Sequence, residues 1–288
     1  MKLPLLAGSL VMCIIWITYF SLPSNNLKII ACDVGQGDAI LIIQNQNQIL
    51  IDGGPDKSVI SCLSKHMPFW DRKIELVVLT HPEADHATGL IEVFERYDVD
   101  SFLASEVDNS TETYKVLKNT VGGGGSVVRN PDEGMKMRLG LISLDILNGW
   151  QDDSGSQNVL GAVEPIMNRN DYSIVISLKF GDFDALFTGD ISPQISDKLA
   201  SSGRVKNVEY IKVPHHGSKN GLTENLLRVS DPEVAVISVG DKNHFGHPHQ
   251  EILDILQNRN IEILRTDEIG DVVVESDGKR FWVNNLIK

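Results

Sequence analysis

Thr80-His81-Pro82-Glu83-Ala84-Asp85-His86 decides how this chain is read. The stretch follows Leu76-Val77-Val78-Leu79, a continuous apolar run of the kind buried inside a sheet. It leads into residues 84–96, which read as a helix. Two imidazoles and two carboxylates within six residues, at a strand end turning into a helix, can converge on one point. Zinc, iron and manganese take these donor types. A polar helix start is the plainer alternative, since Glu83 and Asp85 in a first turn also favour the helix dipole. Four donors this close together favour the metal.

Other strand ends carry the same chemistry. Asp52 closes Ile49-Leu50-Ile51 and precedes Gly53-Gly54, and Asp190 ends Ala185-Leu186-Phe187-Thr188-Gly189. His215-His216-Gly217 follows Tyr210-Ile211-Lys212-Val213-Pro214, while His247 and His249 flank Pro248 just before a helix beginning near Gln250. A lone Asp at a strand end is usually a turn former. Here, however, His81, His86, His215, His216 and His247 account for five of the eight histidines. Ligands collected at one edge of a sheet sandwich would produce this pattern.

Around these ends the chain alternates short strands and helices. Residues 27–33, 39–44 and 48–52 are β-rich runs, 57–66 reads as a helix, and Phe281-Trp282-Val283 closes the series. The alternation predicts an α/β architecture of layered sheets with outer helices, in one domain over residues 27–288 without internal repeats. Residues 122–125, four glycines, read as a loop tip, because no Lys-Ser/Thr follows to make a phosphate cradle. Residues 151–169 are polar and irregular, the length of a loop that borders a site.

Composition narrows the function classes. The 288 residues carry 26 Lys plus Arg against 39 Asp plus Glu, a formal charge of -13. Broad affinity for nucleic acid needs a basic footprint, so this balance argues against it. Residues 3–22 carry no charge and follow Lys2. Their length matches the roughly 20 apolar residues of a bilayer-spanning helix, with Trp16 and Tyr19 near the outer end. Residues 1–26 are therefore expected to be a membrane anchor with a short linker, placing the domain outside the cell; the rival is a cleaved signal peptide and secretion. Cys32 and Cys62 sit in neither a CxxC nor a His-rich zinc spacing, and ordinary buried thiols are expected.

The order Asp…His-x-x-x-Asp-His…Asp…His-His-Gly…Gly-His-Pro resembles the metallo-β-lactamase superfamily. Within it, the chain is similar to the extracytoplasmic hydrolase domain of ComEC-type competence proteins and their short stand-alone relatives. The phrases that carry this likeness are Asp33-Val34-Gly35-Gln36-Gly37-Asp38-Ala39, Leu50-Ile51-Asp52-Gly53-Gly54, Thr188-Gly189-Asp190, Val213-Pro214-His215-His216-Gly217-Ser218 and Gly246-His247-Pro248, with the late Arg265-Thr266-Asp267 and Gly270. The likeness covers about residues 27–283. The resemblance implies an αββα sandwich, here preceded by one transmembrane helix.

It also implies two adjacent divalent metal ions, zinc or manganese. Asp85, His86 and His216 would hold one, His81 and Glu83 would contribute to the other, and Asp190 would bridge them. Asp52 would steady the cluster from outside. Asp85, His215 and His247 become the candidate catalytic residues, the two histidines contacting a phosphate or protonating a leaving group. Glu83 stands where the superfamily usually has His. No His lies between residues 87 and 214, and Asn168 or Asn170 stands near the position of the missing ligand. The second of these metal positions is therefore expected to be weak or empty. The implied activity is hydrolysis of phosphodiesters, DNA during uptake being the first substrate, with a polytopic channel partner. The alternatives are a hydrolase of envelope or small-molecule phosphoesters and a non-catalytic binding module.

Overall fold

Alternating burial along the strands explains the architecture. In the first three strands Ile29, Ala31, Ile40, Ile42, Ile49 and Ile51 point into one apolar core, whereas Ile30, Leu41 and Leu50 point into another. A strand buried on both faces needs cover on both sides, and two sheets flanked by helices supply it. The computed structural model describes residues 25–149, 159–161, 163–165 and 168–284.

Among these residues are two sheets of eight and seven strands. The first runs, in spatial order, β15 (Phe281–Asn284), β14 (Val272–Ser276), β1 (Leu27–Ala31), β2 (Ile40–Gln44), β3 (Asn47–Ile51), β4 (Lys73–Leu79), β5 (Asp98–Ala104) and β6 (Val127–Arg129). The second runs β13 (Glu262–Arg265), β12 (Val234–Ile237), β11 (Tyr210–Lys212), β10 (Phe183–Phe187), β9 (Val175–Phe180), β8 (Ile142–Asn148) and β7 (Lys136–Leu139). A central core fills the space between the sheets. A second lies under the helices Ser58–His66, Ala84–Arg96 and Glu112–Gly123, and a third under Pro193–Ser201, Glu224–Ser230 and Gln250–Gln257. The αββα sandwich is thus present.

β3 to β6 are parallel, and so are β10 to β13. Parallel strands leave all their carboxyl ends on one edge, where the connecting loops gather. Asp52, Thr80, Asp190 and the His215-His216 pair each follow such an end.

Several expectations change. The longest described helix, Ala84–Arg96, has 13 residues, against the roughly 20 that a bilayer requires. Among the described residues no helix is long and apolar enough to cross a membrane, which corrects the expectation of a transmembrane helix and of a membrane-anchored placement. The stretch behind that expectation, residues 3–22, lies outside the described residues, as does most of 151–169. Cys32 and Cys62 are not free thiols but a disulfide, with Cα atoms 5.8 Å apart. Packing of the Ser58–His66 helix against the end of β1 brings them together, and a separation of 30 residues offers no spacing signal. The glycine run is not all loop, since the helix continues to Gly123.

Candidate metal centre

The backbone does unusual work at this edge. Asp52, His215 and His216 all hold positive φ (60°, 52° and 54°). For a non-glycine residue that costs of order 1–3 kcal/mol and persists only where the surroundings fix it. His215 N–H donates to the Gly189 carbonyl (3.2 Å), and Asp52 N–H to that of Val78 (2.8 Å). Gly217 (φ 79°) completes the turn, and a Cβ there would collide with Pro248.

Each side chain is then set by a partner. Asp52 accepts from the Thr80 N–H and hydroxyl, both at 2.7 Å, and from His86 Nδ1 at 2.8 Å. His216 Nδ1 donates to the Ser238 carbonyl at 2.9 Å. With both Nδ1 atoms committed, each ring turns Nε2 inward, and these two buried atoms have no hydrogen-bond partner among the described residues. They lie 3.4 and 3.3 Å from one oxygen of Asp190. Asp85 Oδ2 stands 3.3 Å from His216 Nε2 and 4.0 Å from His86 Nε2. One donor atom each from Asp85, His86, Asp190 and His216 falls within 4.8 Å of the others.

This set fits a divalent ion. Two imidazoles and two carboxylates suit zinc or manganese, and a carboxylate or carbonyl behind each ring is how metal-ligating histidines are held. The electrostatics agree. Burial disfavours charge on His86 and His216, yet Asp190 with Asp52 and Asp85, or with Asp38, outweighs it and holds both pKa values well above the ordinary histidine value. Such a concentration of negative charge calls for a cation at its centre.

Two residues here were given no role by the sequence motifs. Lys212 is wholly buried in β11, ion-pairs with Asp38, and donates to the Gly189 carbonyl (3.2 Å) and to Asp190 Oδ1 (3.4 Å). Burial works against its charge, but Asp38 and Asp190 raise its pKa regardless. Burial also works against the Asp38 carboxylate, and Lys212 with His216 still brings its pKa down to about 2. The available signal was a single Lys inside the apolar run Tyr210-Ile211-Lys212-Val213; charged residues are almost never fully buried unless paired.

The other expected residues sit around this group. His81 is buried beside His86, ring centroids 4.2 Å apart, and burial takes its pKa down to about 3. Its Nδ1 lies 3.1 Å from the Thr80 hydroxyl. Glu83 faces Arg169, 3.3 Å from Oε1 to Nη1. Hence two oxygens expected at a second metal position, on Glu83 and Asp190, already have cationic neighbours. Asn170 lies in the turn Arg169–Tyr172, where its N–H donates to the Asn168 side chain at 3.1 Å. Ser173, which follows that turn, accepts from the Asp190 N–H at 3.1 Å.

His215 and His247 stand on the outer side. His215 Nε2 is 4.0 Å from Asp190, and the His247 ring stacks on His216 at 6.4 Å. The Nδ1 atoms of both are buried without a partner among the described residues. Burial, then neighbouring histidines, lowers the His247 pKa to about 4; burial lowers that of His215 too.

Comparisons with known proteins agree with this geometry. Residues 32–241 match the metallo-beta-lactamase superfamily. The chain is 23% identical over 258 residues to ComE operon protein 3 of Bacillus subtilis, covering 83% of this chain and 32% of that protein. Recombination protein 2 of Haemophilus influenzae is 25% identical over 271 residues, 93% and 31% of the two chains. Competence protein ComA of Neisseria gonorrhoeae is 23% identical, with coverage of 87% and 32%. The chain thus spans about a third of the length of these relatives. Among solved structures, the metallo-beta-lactamase fold protein YhfI of Bacillus subtilis superposes with a TM-score of 0.56 at 13% identity, over 87% of this chain and all of that one. The chain belongs to the metallo-beta-lactamase superfamily and is a ComEC-like member of it.

Proposed function

We propose that this chain is a metal-dependent phosphodiesterase holding one divalent ion on Asp85, His86, Asp190 and His216. One observation carries the proposal: two buried imidazole nitrogens without partners converge on Asp190 from rings fixed at their far side. A divalent ion held there would supply Lewis acidity toward a phosphoryl oxygen and a water.

The chain's own groups supply the rest. Asp52 and the Ser238 carbonyl hold the two ligand rings in orientation and tautomer. Lys212 neutralises the second oxygen of Asp190 and so favours one ion over two. Asp85, with 36% of its side chain exposed, marks the open side on which a phosphodiester reaches the centre. His215 and His247 flank that opening, and an imidazole N–H from either can donate to a non-bridging phosphoryl oxygen. DNA is the first substrate to test, because the similar proteins include one named for competence and one for recombination. The formal charge of -13 favours a second reading, a small phosphoester needing no basic track.

The test joins bound-metal analysis with hydrolysis of a single-stranded oligonucleotide and of thymidine 5′-(p-nitrophenyl phosphate), in wild type and Asp85→Asn. About one ion per chain and turnover lost at least 100-fold in the variant is the expected result. Turnover of the nucleotide ester alone selects the small-substrate reading. A metal-loaded protein that hydrolyses neither, or a variant as active as wild type, overturns the proposal.

A further inference from the structure

Phe245 is the large apolar side chain exposed beside this centre. The residue is 66% exposed, yet it lies on a segment that is firmly built. Phe245 sits in residues 238–249, which connect β12 to the Gln250–Gln257 helix. Asn243 braces them with its whole side chain: Oδ1 accepts the N–H of Phe245 (3.2 Å) and of His247 (2.9 Å), and Nδ2 donates to the carbonyls of Gly240 (2.9 Å) and His247 (2.8 Å). That uses both donors and both acceptor sites of the amide.

The result is a file of near-parallel rings leading outward from the metal position. His247 stacks on His216 (6.4 Å, 29°), and Phe245 stacks on His247 (5.7 Å, 23°). Two ring spacings therefore separate a metal ligand from an open aromatic face, a distance within the reach of one nucleotide. A phosphate held at the centre would bring the planar group attached to it onto Phe245. The backbone that carries the ring is already fixed by Asn243, so stacking on it costs less conformational entropy than on a loose loop.

We infer that the Phe245–His247 stack is a binding platform for a nucleobase adjoining the scissile phosphate, which makes nucleotidic diesters the preferred substrates. The inference rests on the phosphodiesterase reading of the same site. Stacking on one aromatic residue typically changes binding by about 5- to 100-fold per base and tolerates every base.

The experiment compares thymidine 5′-(p-nitrophenyl phosphate) with the matching abasic 1,2-dideoxyribose ester, which keeps the sugar, charge and leaving group but lacks the base. In wild-type protein the thymidine ester has the lower KM. Phe245→Ala should cut the thymidine-to-abasic ratio of kcat/KM by about 5- to 100-fold, mainly through KM, and Phe245→Trp should restore it. An unchanged ratio overturns the inference while leaving the phosphodiesterase reading intact. If wild type hydrolyses neither ester, the platform is judged by fluorescence anisotropy of a labelled oligothymidylate, and the phosphodiesterase reading itself fails only if the oligonucleotide is not cleaved either. Equal Kd values for wild type and Phe245→Ala then refute it; the predicted weakening in the variant supports it.

Discussion

Lys212→Met is the perturbation whose size the structure defines best. The ammonium is buried between Asp38 and Asp190, and methionine replaces it with an uncharged chain of similar length. Removing one partner of a buried pair costs about 3–5 kcal/mol, because the other charge is left uncompensated. At about 2–4 °C per kcal/mol for a domain of this size, the melting temperature should fall by about 6–20 °C. Melting should be followed by circular dichroism in a chelator, so that bound metal adds nothing. The pH dependence gives an independent check. The Asp38 pKa of about 2 in the folded chain lies below the usual unfolded value near 3.9, so its contribution is complete above about pH 4 and disappears as pH falls through about 2. The gap between wild type and Lys212→Met should therefore narrow on acidification over that window. Adding Asp38→Asn to Lys212→Met should recover part of the loss, since the stranded carboxylate is gone. A loss below about 1 kcal/mol, or a double variant no better than the single one, would show that the buried pair is not what holds this corner.

Three further outcomes are expected. Asp52→Asn should weaken metal binding by about 10–100-fold in a chelator competition, because His86 loses the carboxylate that orients it; unchanged affinity would remove Asp52 from that role. Asp271 accepts from Lys65, His66 and the Asp33 N–H at 2.7–2.9 Å. Burial opposes its charge, but His66 and Lys65 outweigh it and hold its pKa well below the ordinary value, so Asp271→Asn should lower the melting temperature more at pH 7 than at pH 3. The opposite ordering would contradict the sign. Reducing Cys32–Cys62 should cost about 3–4 kcal/mol by the chain-entropy estimate for a loop of this length; denaturant unfolding with and without a dithiol measures it, and Cys62→Ser should reproduce the loss.

The gathering of metal-type donors at one sheet edge was legible because its signals are local. Thr80 to His86 declares a strand end, a turn and a helix start within seven residues, and the Ala84–Arg96 helix has the bounds expected. Asp52, Asp190 and His216 follow the same pattern, a donor one to four residues past a β-rich run. What stayed hidden depends on partners far apart in the chain. Lys212 is explained by Asp38, 174 residues earlier, and Glu83 by Arg169, 86 residues later. Neither pairing has a spacing to recognise. Cys32 and Cys62 meet only because a helix lies across the end of a strand. His247 was easy to see, but its stacking with Phe245 depends on a turn braced by Asn243.

The four-donor group is divided evenly between the two sheets. Asp85 and His86 follow β4 of the first, whereas Asp190 and His216 follow β10 and β11 of the second. A cation bound there acts as a rivet across the seam of the sandwich. Either sheet alone offers only two donors, a weak chelate, so tight occupancy requires the layers to be docked, and occupancy in turn holds them docked. Metal loading would then report on tertiary assembly. Chelation should loosen this edge first, exposing its amides to hydrogen exchange before the far ends of the strands open.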